Sequence, residues 1–264
     1  MCEVIAITSG KGGVGKTTIT KELGNILAEK GYKTLVIDMD IGLRNLDVVM
    51  GLETKVRYNL IDLLQGNCRV KQALLMDRRR SFLYMIPSSY KHDSHDVDLH
   101  SFEKILNELK EQFEYILLDS PAGAEQGFLN AVSCADRMLL VTTTDITAIR
   151  DAHRILQIMQ KNQHLIPTEL IINKFMPQMI MSGECISVDD IRELLDIEIA
   201  GTIPFSKSTL ISYNNMNRTI KKNTYAYSAM NAIADHVLGR SHEDIHAEKY
   251  DTIWRRLNWR FDRS

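Results

Sequence analysis

The sequence predicts an α/β protein: a single domain with a mostly parallel sheet, helices on both of its faces, and a C-terminal amphipathic helix. Three observations lead there. Short runs rich in Val, Ile and Leu recur along the chain, helical patterns lie between many of them, and a glycine-rich run falls between the first apolar run and the first helix.

Taken in order, the apolar runs occupy residues 3–8, 33–38, 82–87, 115–119, 137–143, 168–173 and 198–203. Unbroken apolar runs of this length suit strands buried on both faces. Helical periodicity spans 17–30, ending at Gly31, then 101–112 and 147–160. A fourth helix over 188–195 starts at Ser187 with Asp190 three residues on, an N-terminal capping pattern. A last core helix over 224–238 stops at Gly239. Strand and helix alternate without a linker, so residues 1–239 read as one domain.

The 264 residues suffice for a sizeable core. A hydrophobic share of 44% and a charged share of 25% are ordinary for a globular chain, and 14 Gly and 5 Pro are too few for a fibrous or low-complexity one. The formal charge of -2 does not suggest a nucleic-acid-binding surface over the whole molecule. The cysteines, Cys2, Cys68, Cys134 and Cys185, form no C-x-x-C pair and follow no secretory signal, so a reducing cytoplasm is the expected setting. The longest uncharged apolar stretches, such as residues 138–141, fall far short of the roughly 20 residues that cross a bilayer. His92, His95 and His100 share a polar stretch without a cysteine nearby and make a poor metal site. Arg78, Arg79 and Arg80 read as a solvated loop.

The run Gly10, Lys11, Gly12, Gly13, Val14, Gly15, Lys16, Thr17 fits the phosphate-loop pattern G-x-x-x-x-G-K-[ST] and lies between a strand and a helix, as that pattern requires. Glycines let backbone N–H groups close around phosphates, and the helix N-terminus faces their charge. Lys16 is placed to reach the β- and γ-phosphates and Thr17 to ligate Mg²⁺. Asp119 closes the run 115–118 and Asp38 closes 35–37, at strand C-termini where open α/β sheets bind ligands. Asp119 is the candidate that holds Mg²⁺ through water. Asn173 and Lys174 resemble the start of a guanine-reading N-K-x-D motif, but residue 176 is Met. The carboxylate that would pair with guanine is missing, which favours adenine.

Lys11 is a second lysine that an ordinary phosphate loop does not need. With it, the runs 8–18, 38–47 and 119–123 resemble the deviant Walker A (ParA/MinD) family of P-loop NTPases; the similarity extends from residue 1 to about 239, and 40–51 is its most specific part. The resemblance implies ATP and Mg²⁺ as cofactors, slow ATP hydrolysis, and a homodimer that sandwiches ATP, with Lys11 contacting phosphate across the dimer. It places Thr18 with the phosphate-binding residues, Asp38 in the Mg²⁺ shell and Asp40 on the attacking water. Asn173 would contact adenine, and Pro204, in the turn 203–205, would line the base. Where relatives usually show Thr-Thr-Pro-Glu, this chain has Thr142, Thr143, Thr144 and Asp145.

Residues 240–248 are polar enough for a flexible connector, and 249–264 differ again, with five Lys or Arg against two Asp. On a helical wheel Tyr250, Ile253, Trp254, Leu257 and Phe261 fall within about a 100° arc, bordered by Arg256, Arg260 and Arg263. An aromatic-rich apolar stripe with a basic border is the pattern of a helix lying in an anionic lipid surface. The MinD branch carries a membrane-targeting helix at this place, and by resemblance the expected role is septum placement. A MinC-like inhibitor and a MinE-like regulator would be its partners. The location would be cytoplasmic, peripheral on the inner face of the cell membrane or of an organelle inner membrane. Rival readings are a ParA-type partitioning ATPase that binds DNA, a flagellar-placement ATPase and an iron–sulfur carrier. The +3 of the tail leaves the rest acidic, so no nucleic acid is expected, and the scattered cysteines do not suit a cluster.

Overall fold

A computed structural model describes residues 2–77, 81–163, 165–205 and 220–240. The expected connector beyond Arg240, the tail helix and Arg78–Arg80 lie outside the described residues. Eight strands form one sheet: β1 (Glu3–Ser9), β2 (Thr34–Asp38), β3 (Leu75–Met76), β4 (Leu83–Ile86), β5 (Tyr115–Ala122), β6 (Arg137–Thr142), β7 (Thr168–Phe175) and β8 (Ile199–Pro204). Their spatial order is β3-β4-β2-β5-β1-β6-β7-β8, and all pairings are parallel except β3 with β4. The seven apolar runs are the seven parallel strands, and the two-residue β3 is the one strand without a sequence signal.

Helices cover both faces, as expected. On one lie α1 (Lys16–Glu29), the short α2 (Leu46–Met50) and α10 (Tyr225–Val237), which bury Leu23, Leu27, Leu46 and Ile233 against Ile5, Val36 and Leu117. On the other lie α3 (Leu60–Leu64), α4 (Val70–Ala73), α5 (Leu99–Lys110), α6 (Gln126–Ser133), α7 (Ile146–Lys161) and α9 (Val188–Leu195), packed through Phe102, Phe128 and Ile155 onto Val4, Ala6 and Leu118. The remaining helix, α8 (Pro177–Met181), is short and begins with proline, where the missing N–H is no loss. Sequence signals set the long helices: Ser187 caps α9 by accepting from the Asp190 N–H, Thr224 caps α10 through Tyr227, and Gly239 follows α10 with a left-handed φ of 64°. His100, expected in a loop with His92 and His95, instead falls in the first turn of α5 because Asp98 caps that helix two residues earlier.

The topology creates the site. β1 lies between β5 and β6; the chain leaves it for β2 on one side and later crosses from β5 to β6 on the other. Crevices at such reversals, beyond the strand C-termini, are where open sheets bind ligands.

Candidate nucleotide site

Strand alternation puts the acidic residues in place. Asp38 is in register with Asp119 across β2 and β5, and both follow the parity of Val36 and Leu117, whose side chains face α1. The carboxylates therefore stand side by side beneath the N-terminus of α1, 0% and 1% exposed. The Thr17 and Thr20 hydroxyls donate to Asp119, Thr20 at 3.0 Å, while Thr20 also donates to the Lys16 carbonyl at 3.1 Å. Asp38 accepts the N–H of Asp40 at 3.0 Å and of Leu46 at 3.2 Å, which closes the loop 39–45 over the strand end. Burial pushes the Asp119 carboxyl up to about 6, against the Thr17 hydroxyl and the Lys16 ammonium. Asp38 is raised well above the usual carboxylate range by burial and then by Asp119. Asp40 is raised by burial and drawn back by Lys16, while burial lowers Lys16 itself.

The phosphate loop is shaped by close approach. Gly15 precedes α1 with φ 105°, and a Cβ there would meet the Asn173 amide nitrogen at 2.4 Å, so only glycine fits. A Cβ on Gly10 would meet the Asp151 backbone at 2.4 Å, where β1 passes under α7. No side chain caps α1 and its first turn carries no acid, which leaves the N–H groups there for an anion. From β7, Asn173 donates to the Val14 carbonyl and Lys174 to the Gly13 carbonyl, both at 2.7 Å.

A cavity of about 720 Å³ opens beside the loop. Gly12, Gly13, Gly15, Lys16, Thr17, Thr18 and Asp40 line it, together with Asn173, Lys174, Ile203, Pro204, Phe205 and Met230. A lining that combines loop N–H groups and a lysine with the apolar side chains of residues 203–205 and Met230 suits a nucleotide. Gly10, Val14, Asp38 and Asp119 support this wall from behind without lining it. Lys11 stands apart: its amino group lies 2.6 Å from Thr147 Oγ1 and 3.3 Å from Asp145 Oδ2, with its side chain 41% exposed. Asp145 also caps α7 through the Thr147 N–H, and its carboxyl is held down to about 2 by the Thr147 hydroxyl and backbone before Lys11.

The donor set fits a divalent cation, because a hydroxyl and two like-charged, buried carboxylates are hard oxygen ligands whose mutual repulsion a cation relieves. Sequence reasoning missed Thr20, although its spacing of four from Lys16 puts both on one helix face. It also gave Lys174 no role beyond the motif comparison, and no local signal foretells its bond to Gly13.

A phosphate loop with a second lysine, at the crevice of a mostly parallel sheet and above paired buried aspartates, defines a P-loop ATPase of the deviant Walker A class. The family described as AAA domain matches residues 2–172. The septum site-determining protein MinD of Bacillus subtilis is 40% identical over 245 residues, 91% of each chain. The MinC:MinD cell division protein complex of Aquifex aeolicus superposes with a TM-score of 0.85 at 37% identity, covering 93% of this chain and 99% of that one. MinD of Pyrococcus horikoshii complexed with Mg-ADP gives 0.79 at 26% identity, covering 90% and 96%. The chain belongs to the MinD family of septum site-determining ATPases, and it is an ATP hydrolase of division-site placement that uses ATP and Mg²⁺.

Proposed function

We propose that the chain is a slow, ATP-switched dimer that binds the membrane only while ATP holds two copies together. Lys16 and the N–H groups of residues 12–18 bind the β- and γ-phosphates. Thr17 holds Mg²⁺, with Asp38 and Asp119 in its shell, and bound Mg²⁺ supplies charge neutralisation on the phosphates. Asp40 orients a water at the γ-phosphate and accepts its proton as the new P–O bond forms and the bond to the bridging oxygen breaks. Asn173 and Pro204 face adenine.

The observation that carries this reading is Lys11. Its amino group lies at the rim between Asp145 and Thr147, outside the cavity its own loop forms and partly exposed. From there it is available to the nucleotide of a second copy, and a site completed in trans turns over slowly in the monomer. Residues 1–239 form the ATPase domain, 240–248 a connector and 249–264 a helix that enters anionic lipid through Tyr250, Ile253, Trp254, Leu257 and Phe261. The location is the cytoplasmic side of the cell membrane or of an organelle inner membrane. The Aquifex complex, as a MinC:MinD assembly, supports a MinC-like inhibitor as partner; a MinE-like regulator is inferred from the family alone.

Analytical ultracentrifugation with ATP tests the roles. Asp40→Ala removes the water-orienting carboxylate and leaves the phosphate contacts, so it should sediment as a dimer, while Lys11→Ala should remain a monomer. The opposite pattern would remove the basis for both assignments.

A further inference from the structure

We infer that Lys174 is a positioning residue for the phosphate loop: with Asn173 it straps two loop carbonyls outward, so that the N–H groups of Val14 and Gly15 face the phosphates. The inference rests on the reading of residues 10–17 as the nucleotide site. A trans peptide is a rigid plane in which C=O and the following N–H point in opposite directions, and no peptide bond among the described residues is cis. The Gly13 carbonyl accepts from Lys174 Nζ at 2.7 Å, which fixes where the Val14 N–H points. The Val14 carbonyl accepts from Asn173 Nδ2 at 2.7 Å, which fixes the Gly15 N–H in the same way. Gly12 and Gly13 have open space where a Cβ would stand and Gly13 has φ 78°, so no side chain of their own pins that plane.

The local backbone is bent to deliver the amine. Lys174 has a left-handed φ of 56°, uncommon for a long side chain, and its N–H donates to Asn173 Oδ1 at 2.9 Å. Thus β7 carries, just before its last residue, a kink whose two side chains reach adjacent carbonyls roughly 160 residues away in sequence. Because the Lys174 amine is taken up by backbone, Lys174 acts on the phosphate side, whereas Asn173 also faces the base.

Calorimetric titration of the full chain with Mg-ADP and with AMP, for wild type, Lys174→Met and Lys174→Arg, tests this. Methionine keeps the length and the backbone demand but removes the donor. Losing one charge-assisted hydrogen bond should raise the Kd for Mg-ADP about tenfold. The AMP affinity should stay within about twofold, since AMP lacks the phosphate that the Val14 and Gly15 N–H groups face. KM for ATP should rise with kcat near wild type, Lys174→Arg should recover most of the loss, and the melting temperature without nucleotide should not move. The deficit should persist in about 0.5 M KCl, where exposed charges are screened within ~4 Å. Equal Mg-ADP affinity for Lys174→Met, a deficit that vanishes with salt, or an equal loss for AMP would overturn the strap. Wild type failing to bind Mg-ADP would instead contradict the nucleotide reading itself.

Discussion

Asp38 and Asp119 sit in register on neighbouring strands because both end apolar runs of matched parity, and their burial there is the main cause of how the site responds to pH. With a folded-state value of about 6 against 3.8 for the free side chain, Asp119 takes up a proton in the folded protein before the unfolded chain does. Asp38 and Asp40 shift in the same direction. These groups therefore make the nucleotide-free protein more stable as pH falls from 7 toward 4, and they oppose stability as pH rises through 6. Cation binding works against protonation, so Mg-ADP should bind more weakly below about pH 6 and should release protons there as Asp119 gives up its own. Calorimetry in buffers of different ionisation enthalpy measures that release; proton uptake near pH 6 would contradict it. Lys16 was legible from its motif and Asp119 from its place at a strand end. Thr20 needed only helical spacing to be found, whereas the Lys174 contact depends on a left-handed turn that no composition rule reveals.

The loop joining β1 to α1 shows how one element imposes different demands on similar residues. Gly10 runs against the backbone of α7, while a Cβ on Gly12 would point into open space. Gly10→Ala should therefore destabilise the fold by about 1–3 kcal/mol through overpacking. Gly12→Ala should leave thermal unfolding without nucleotide unchanged, so any loss of activity it causes lies in nucleotide binding. Differential scanning fluorimetry of the two variants separates these, and equal melting temperatures would show that α7 can give way at Asp151. Elements buried on both faces or carrying capping side chains were readable: the parallel strands and α1, α5, α7, α9 and α10 fall within two residues of their expected bounds, except that β5 runs three residues further, to Ala122. The short α2, α3, α4 and α8 were not, because four or five residues hold too little periodicity to register. The eight-residue α6 was missed too, since two turns without a capping side chain, unlike the fourteen residues of α1, hold little periodicity to register.

At the scale of the whole molecule, charge is segregated between an acidic ATPase body and a tail with five basic residues in its last sixteen. No helix among the described residues is long and apolar enough to cross a membrane. The tail helix proposed above, with five apolar anchors, would give marginal, reversible attachment, and two of them joined in a dimer would raise the effective concentration of the second. The tail stripe is read from periodicity and charge border alone, and it lies outside the described residues. Trp254→Glu should abolish lipid binding while hydrolysis in the absence of lipid stays near wild type; a variant that failed to bind ATP in solution would place the tail within the core.

The central claim, that ATP occupancy controls a membrane-bound dimer, is tested most directly by sedimentation with anionic liposomes. Full-length chain, Lys16→Ala and a chain ending at Arg240 would each be spun with ATP and with ADP. Only the full-length protein with ATP should pellet, and it should do so less at high salt as its arginine border is screened. Equal pelleting with ADP, or pelleting of the chain that lacks residues 241–264, would contradict it.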